Sequence, residues 1–126
     1  MHKSRLAGFI IDCRTEDLDA AARFWGEALG LKPERLPAAS EVAYRRLHTE
    51  PHELHIEVQQ VAHESRVHLD IEADDIEAEA RRLEALGARR IAAVQSWLVM
   101  QAPTGQRFCI VRVQRSDFAA NANTWT

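Results

Sequence analysis

Residues that could perform acid–base or metal chemistry are concentrated on two short segments, and the first of these carries His68. His68 and Asp70 alternate with Val67, Leu69 and Ile71, which is the period-2 pattern of a half-buried strand. Both polar side chains should therefore lie on one face, with the apolar face packed under the following helix. A neutral imidazole binds metals and serves as a general base near neutral pH. We predict that His68 lines a ligand site, as a catalytic group or a metal ligand; the alternative is a histidine hydrogen-bonded in a polar cleft without chemistry.

The second segment carries Glu57, which shares a strand face with His55 and Gln59. The opposite face of this strand is apolar, so the polar face meets either water or a polar ligand. A buried carboxylate without a cationic partner has its pKa raised by desolvation and can act as an acid or a base. Glu57 is therefore a second catalytic candidate, and His55 and Gln59 are candidates for lining the ligand. A solvated outer face is the alternative.

Other residue types give weaker signals. Trp97 starts a predicted strand and is expected either to form an aromatic wall for a planar ligand or to pack in the core against Trp25. The five histidines from His48 to His68 fit no zinc-finger spacing, so chance and surface exposure explain their density better. Cys13 and Cys109 form neither a disulfide framework nor a zinc-binding spacing, and both are predicted to be reduced.

The segment around His68 has a counterpart earlier in the chain. Arg66–Gly87 and Phe9–Gly30 each contain a strand pattern, a short acidic turn, a helical pattern and a final glycine. Asp12 aligns with Asp70 in this comparison, which makes Asp12 a further candidate for lining the site. A repeat of this length in a short chain indicates two equivalent halves.

The elements that must position these residues follow the repeat. The predicted strands are Leu6–Cys13, Val42–His48, Glu53–Val61, Val67–Ile71, Arg89–Gln95, Trp97–Gln101 and Arg107–Val113, with helices over Asp17–Leu29 and Ile76–Leu86 and an irregular edge strand or loop at Pro33–Ser40. We predict one α+β domain over residues 1–126, made of two βαβββ modules at about 6–61 and 66–114. The modules should form an open, curled, mixed sheet with helices outside and a central cleft, and the tail, 115–126, should pack loosely.

Length, composition and charge exclude several classes of function. The chain has 126 residues, 46% of them hydrophobic and 28% charged, which is typical of a globular domain. Its net charge of −3 gives no basic field for nucleic acid. No apolar run reaches membrane-spanning length, and the first residues lack a signal-peptide core. We therefore predict a cytoplasmic protein with neither nucleic acid nor membrane as a partner.

The same elements resemble the vicinal oxygen chelate superfamily, which includes glyoxalase I, extradiol dioxygenases, and bleomycin- and fosfomycin-resistance proteins. The matching pieces are Asp17–Leu18, Phe24–Trp25, Ala28–Leu31, Val67–Asp70, Leu86–Ala88, and Ala102–Gly105 followed by Phe108. The resemblance spans about residues 6–114 and is closest to short glyoxalase-like proteins. It implies the paired-module fold, a small-molecule ligand in a cleft, and a homodimer.

The resemblance also implies four positions for metal ligands, on the first and last strands of each half. In this chain they are Ile10, Glu57, His68 and Cys109. Glu57 and His68 have the residue types that the superfamily uses. Ile10 cannot bind a metal, and Cys109 stands where a carboxylate is expected; a thiolate binds soft ions, whereas a buried thiol is more often inert. An implied metal would be a divalent ion such as zinc, nickel, manganese or iron.

Three hypotheses for function follow. The first is a glyoxalase-like protein that binds a small organic molecule in the cleft with a degenerate or absent metal site. The second is a metal-dependent lyase, isomerase or dioxygenase that uses Glu57 and His68, with Cys109 as a further ligand. The third is a non-enzymatic dimeric scaffold or regulatory module.

Overall fold

The computed structural model describes residues 1–37 and 42–126. These residues form an α+β fold with nine strands in a mixed, open arrangement and three helices. They divide into an N-terminal unit, Phe9–Val67, and a C-terminal unit, Met1–Gly8 with His68–Thr126. The elements are β1 (His2–Arg14), α1 (Leu18–Leu29), β2 (Pro33–Arg35), β3 (Tyr44–Leu47), β4 (His55–Val61), β5 (Arg66–Ala73), α2 (Ile76–Ala85), β6 (Arg89–Val94), β7 (Trp97–Gln101), β8 (Arg107–Val111), α3 (Phe118–Asn121) and β9 (Asn123–Trp125).

The N-terminal unit packs α1 against β3 and β4, with the strand order β2-β3-β4-β1. Asp17 caps α1, because its Oδ1 accepts a 3.0 Å hydrogen bond from the Ala20 amide. Gly30 ends the helix with a left-handed φ of 70°. The buried core consists of Ile11, Leu18, Leu47 and Val58. Strands β3 and β4 pair in antiparallel register, which fixes the position of Glu57 opposite Arg46.

The C-terminal unit has the strand order β5-β8-β7-β6. Strands β5 and β8 are parallel, whereas β8–β7 and β7–β6 are antiparallel. Asp75 caps α2 by accepting a 3.0 Å hydrogen bond from the Ala78 amide. The core lies between α2 and the strands and consists of Ala73, Ala80, Leu83, Met100 and Ile110.

The expectation that the tail packs loosely is wrong. Helix α3 buries Phe118, and β9 pairs with the start of β1. Lys3 Nζ donates a 2.7 Å hydrogen bond to the Ala119 carbonyl, and Trp125 Nε1 donates one of 2.8 Å to Ser4 Oγ. The sequence pattern missed this because polar contacts, rather than an apolar stripe, hold most of the tail in place.

The expected buried face of β5 is also wrong in part. Val67 is 58% exposed and Leu69 is 50% exposed, whereas Ile71 packs against the core cluster. Helix α2 contacts β6 and β8, and its core cluster reaches only the end of β5. The first residues of the apolar face therefore lie outside the area that the helix covers. Leu86, the last residue of the predicted second helix, is likewise exposed.

The α+β class, the open mixed sheet and the order of strands and helices expected for paired βαβββ modules are confirmed. The edge strand expected within Pro33–Ser40 is seen as β2, while positions 38–41 of that region lie outside the described residues. The module boundaries and the central cleft remain predictions. Among the described residues, every helix is too short or too polar to cross a membrane.

Candidate metal and ligand site

Three side chains that can bind a metal meet in the C-terminal unit. His68 and Asp70 on β5 and Cys109 on β8 place one potential donor atom each within 4.8 Å of the others. His68 Nε2 lies 3.6 Å from Asp70 Oδ1. Asp70 is 7% exposed and Cys109 is 8% exposed, while His68 is half-buried. The group thus combines one nitrogen, one oxygen and one sulfur donor in a largely water-excluded place.

The strand geometry explains why these three residues meet. Asp70 and Cys109 are register partners in the parallel β5–β8 pair. Side chains of register partners point to the same side of a sheet, and His68 lies on that side because it is two residues before Asp70. The adjacency therefore follows from the backbone pairing.

The donor set fits a divalent metal ion of the zinc type. Zinc bonds of about 2.0–2.3 Å in a tetrahedral site place neighbouring donor atoms about 3.5 Å apart. The 3.6 Å between His68 Nε2 and Asp70 Oδ1 agrees with that spacing. Three protein ligands are also the number found in catalytic zinc sites, where the fourth position takes water or substrate. The residues present therefore fit the metal that the superfamily resemblance implies, although Asp70 was expected only as a ligand-lining residue.

The other candidates from the sequence lie on other strands. Glu57, His55 and Gln59 are half-buried on β4 of the N-terminal unit. Asp12 is buried on β1, and Arg66 Nε lies 3.8 Å from its Oδ2. Trp97 is half-buried at the start of β7 in the C-terminal unit. These placements leave their roles at the level of predictions. Ile10, at the implied ligand position, is a buried core residue of β1.

A buried ionic cluster lies further along the polar face of β5, at Glu72. This carboxylate has 0% exposure and accepts hydrogen bonds from Arg5 Nε at 2.8 Å and from Arg115 Nε at 3.0 Å. It also accepts from the Gln114 and Arg115 amides, at 2.7 and 3.0 Å. Burial alone would raise the pKa of Glu72, but these donors outweigh it and lower the pKa. Sequence reasoning missed Glu72, although its position two residues after Asp70 was an available signal.

A shallow pocket lies in the N-terminal unit, where β1 and β4 end. Its volume is 650 Å³, and it is lined by Arg14, Thr15, Glu16, Gln60, Val61 and Ala62. Gln60 Nε2 donates a 2.8 Å hydrogen bond to the Thr15 carbonyl and so joins two of its walls. None of the site residues predicted from the sequence lines this pocket.

Comparison with known proteins identifies the fold. The sequence profile of a glyoxalase-like domain matches residues 8–111. No curated protein sequence matches the chain. Among solved structures, methylmalonyl-CoA epimerase from Mycobacterium tuberculosis has 17% identity and a TM-score of 0.60, over 92% of this chain and 91% of that chain.

Two further solved structures have the same fold. A variant of Streptomyces coelicolor methylmalonyl-CoA epimerase in complex with 2-nitronate-propionyl-CoA has 15% identity and a TM-score of 0.54, over 89% of this chain and 97% of that chain. A Legionella pneumophila structure described as NAD-dependent benzaldehyde dehydrogenase has 9% identity and a TM-score of 0.59, over 84% of this chain and 99% of that chain. At these identities the likeness concerns the fold alone.

Proposed function

We propose that this chain, which belongs to the glyoxalase-like domain family of the vicinal oxygen chelate superfamily, binds a divalent metal ion through His68, Asp70 and Cys109 and holds a small organic ligand beside it. The single observation that carries this proposal is the spacing of the three donor atoms, all within 4.8 Å of one another. Three protein ligands leave a coordination position for a ligand oxygen.

The chemistry we propose is proton transfer on a small molecule that carries neighbouring oxygen atoms. A bound divalent ion would act as a Lewis acid and polarise a carbonyl of the ligand. Burial of Asp70 and Cys109 keeps water away from two of the three donors. Glu57, at the position where the resemblance expects a carboxylate, stays a prediction for a general acid or base. Acyl-CoA thioesters are the first ligands to screen, because solved structures of similar fold are epimerases of methylmalonyl-CoA.

Metal analysis tests this proposal directly. The protein is purified without chelator, and its metal content is measured by elemental analysis together with the variants His68→Ala and Asp70→Asn. We expect one equivalent of metal in the wild type and a loss of at least about 10-fold in affinity in each variant. His63→Ala is the matched control, because His63 is exposed and lies outside the cluster. A wild-type protein that neither retains nor takes up a stoichiometric divalent ion contradicts the proposal.

A second candidate is a protein that binds its ligand without metal or turnover. The observation that favours it is Ile10, which occupies an implied ligand position, is buried and has no donor atom on its side chain. In that case His68 lines the ligand as a hydrogen-bonding group. Calorimetry measures the affinity of the metal-free protein for an acyl-CoA thioester, before and after zinc is added. Binding whose affinity does not change on addition of zinc would support this candidate over the first.

A further inference from the structure

We infer that Cys109 makes the His68–Asp70–Cys109 site selective for zinc and other thiophilic ions, and against manganese, magnesium and calcium. This inference rests on the proposed metal binding and adds to it the class of ion that the site takes. It concerns a residue whose type differs from the carboxylate that the superfamily resemblance implies at this position.

The backbone holds the Cys109 sulfur in place. Cys109 lies in the middle of β8, with Asp70 of β5 as its register partner on one side and Val99 of β7 on the other. Strands on both sides restrict its backbone, and 8% exposure leaves little room for water to replace the thiol as a ligand. An ion that enters the group must therefore accept sulfur as a donor or forgo one of the three protein ligands.

The donor chemistry then decides between ions. Magnesium and calcium bind oxygen ligands and have little affinity for thiolate. Among first-row divalent ions, affinity rises from manganese towards copper, and soft thiolate donors favour zinc further. A mixed set of nitrogen, oxygen and sulfur donors in tetrahedral spacing is a zinc environment, whereas manganese prefers six oxygen-rich ligands.

The two cysteines of the chain differ in their surroundings, and this difference argues against an inert Cys109. Cys13 packs against the apolar cluster under α1, as an ordinary small hydrophobic residue does. Cys109 is absent from both apolar clusters of the described residues and instead contacts the polar group of His68 and Asp70. Cys13 therefore provides a matched control within the same protein.

The test measures metal selectivity rather than activity. Metal-free protein is titrated with zinc, cobalt and manganese against a competing chelator, for the wild type, Cys109→Asp, Cys109→Ser and Cys13→Ser. We expect the wild type to bind zinc at least about 1000-fold more tightly than manganese. Cys109→Asp should reduce that ratio by at least about 10-fold, and Cys13→Ser should leave it unchanged. The cobalt form should show sulfur-to-cobalt charge-transfer absorption in the wild type and in Cys13→Ser, but not in either Cys109 variant.

The outcomes separate this inference from the proposed function. A wild type that binds none of the three ions overturns the metal proposal itself. Metal binding with an unchanged zinc-to-manganese ratio in both Cys109 variants, or a cobalt form without sulfur absorption, overturns the role of Cys109 and leaves metal binding intact. Circular dichroism confirms folding of each variant, and Cys109→Ser, which nearly preserves side-chain volume, supplies the answer if Cys109→Asp does not fold.

Discussion

Arg5 donates a 2.8 Å hydrogen bond from Nε to Glu72 Oε2 and thereby joins β1 to a carboxylate with no exposed surface. The same carboxylate accepts from Arg115, in the segment that follows β8. Arg5 also pairs with Asp117 through its Nη2. One buried carboxylate therefore fixes the first strand and the tail together, two residues along β5 from the candidate metal ligand Asp70.

Replacing Glu72 with glutamine should destabilise the protein strongly. Glutamine keeps the shape but leaves Arg5 and Arg115 without their buried counter-charge, which costs about 3–5 kcal/mol in the free energy of unfolding. Urea unfolding at pH 7 measures this. Glu77→Gln is the control, because Glu77 pairs with Arg90 on the surface, where water screens the two charges and the loss should be much smaller. Similar losses for both variants would show that the buried cluster stabilises the protein no more than a surface ion pair does.

The stability of the protein should fall in acid. Burial alone would raise the pKa values of Glu72 and Glu79, but hydrogen bonds outweigh it and lower both from their ordinary value of 4.5. A carboxylate with a lowered folded-state pKa stabilises the protein above its unfolded pKa, and this contribution is lost as the pH falls through the folded pKa. Unfolding free energy should therefore be level from pH 7 to about pH 5 and decline below about pH 4.5.

Glu72→Gln provides the check on that pH profile. Because the variant lacks a buried carboxylate whose pKa is lowered, its stability should decline less steeply between pH 4.5 and pH 3 than that of the wild type. Chemical unfolding at a series of pH values gives the two slopes. Parallel declines would rule out Glu72 as a source of the acid sensitivity.

Trp125 should stabilise the tail through two separable contacts. The guanidinium carbon of Arg82 lies 3.8 Å from the centre of its ring, and its Nε1 donates to Ser4 Oγ. Trp125→Phe keeps an aromatic ring and loses the hydrogen bond, at a cost of about 1 kcal/mol. Trp125→Ala also loses the cation–π contact, which adds about 0.5–2 kcal/mol beside the loss of buried apolar area. Thermal unfolding of both variants measures the difference, and equal losses would contradict a contribution from the ring.

Two glycines of the first helical region should respond to alanine for different reasons. A Cβ atom at Gly26 would lie 2.7 Å from the Leu31 carbonyl oxygen and 2.9 Å from Pro33 Cγ. Overpacking of this kind costs about 1–3 kcal/mol, and it should outweigh the roughly 1 kcal/mol that alanine contributes to a helix interior. Gly30 has open space but a φ of +70°, so Gly30→Ala should cost about 1 kcal/mol through backbone strain. A Gly26→Ala variant more stable than the wild type would contradict the steric argument.

The sequence pattern located β5 but could not identify its covered face. Alternation at Val67 and Leu69 indicates a strand, while burial depends on where α2 packs, and that is a long-range property. The neighbourhood of Asp70 and Cys109 depends on the parallel register of β5 and β8, which no local pattern encodes. The superfamily resemblance pointed to Cys109, whereas the participation of Asp70 required the observed geometry.

The partners of the buried polar groups could not be predicted from the sequence either. Glu79 lies on α2 with the charged pattern of a surface position, yet it is buried and accepts hydrogen bonds from His2, Ser4 and Arg82. Its partners are up to 77 positions away in the chain. Propensity and periodicity describe neighbours within a few residues, so they predict helices and strands well and paired buried charges poorly.

The antiparallel pairing of His2 with Trp125 and of Ser4 with Asn123 determines how the C-terminal unit would respond to mechanical force. Met1 and Thr126 leave this ladder at the same end. Tension between them therefore breaks its hydrogen bonds one after another rather than all at once. The short β9 should therefore peel away at low force. The bonds of Lys3 to the Ala119 carbonyl and of Arg5 to Asp117 come next along the chain. Together with the bonds of Arg115 to Glu72 and to the Leu6 carbonyl, they set the first substantial resistance to extension.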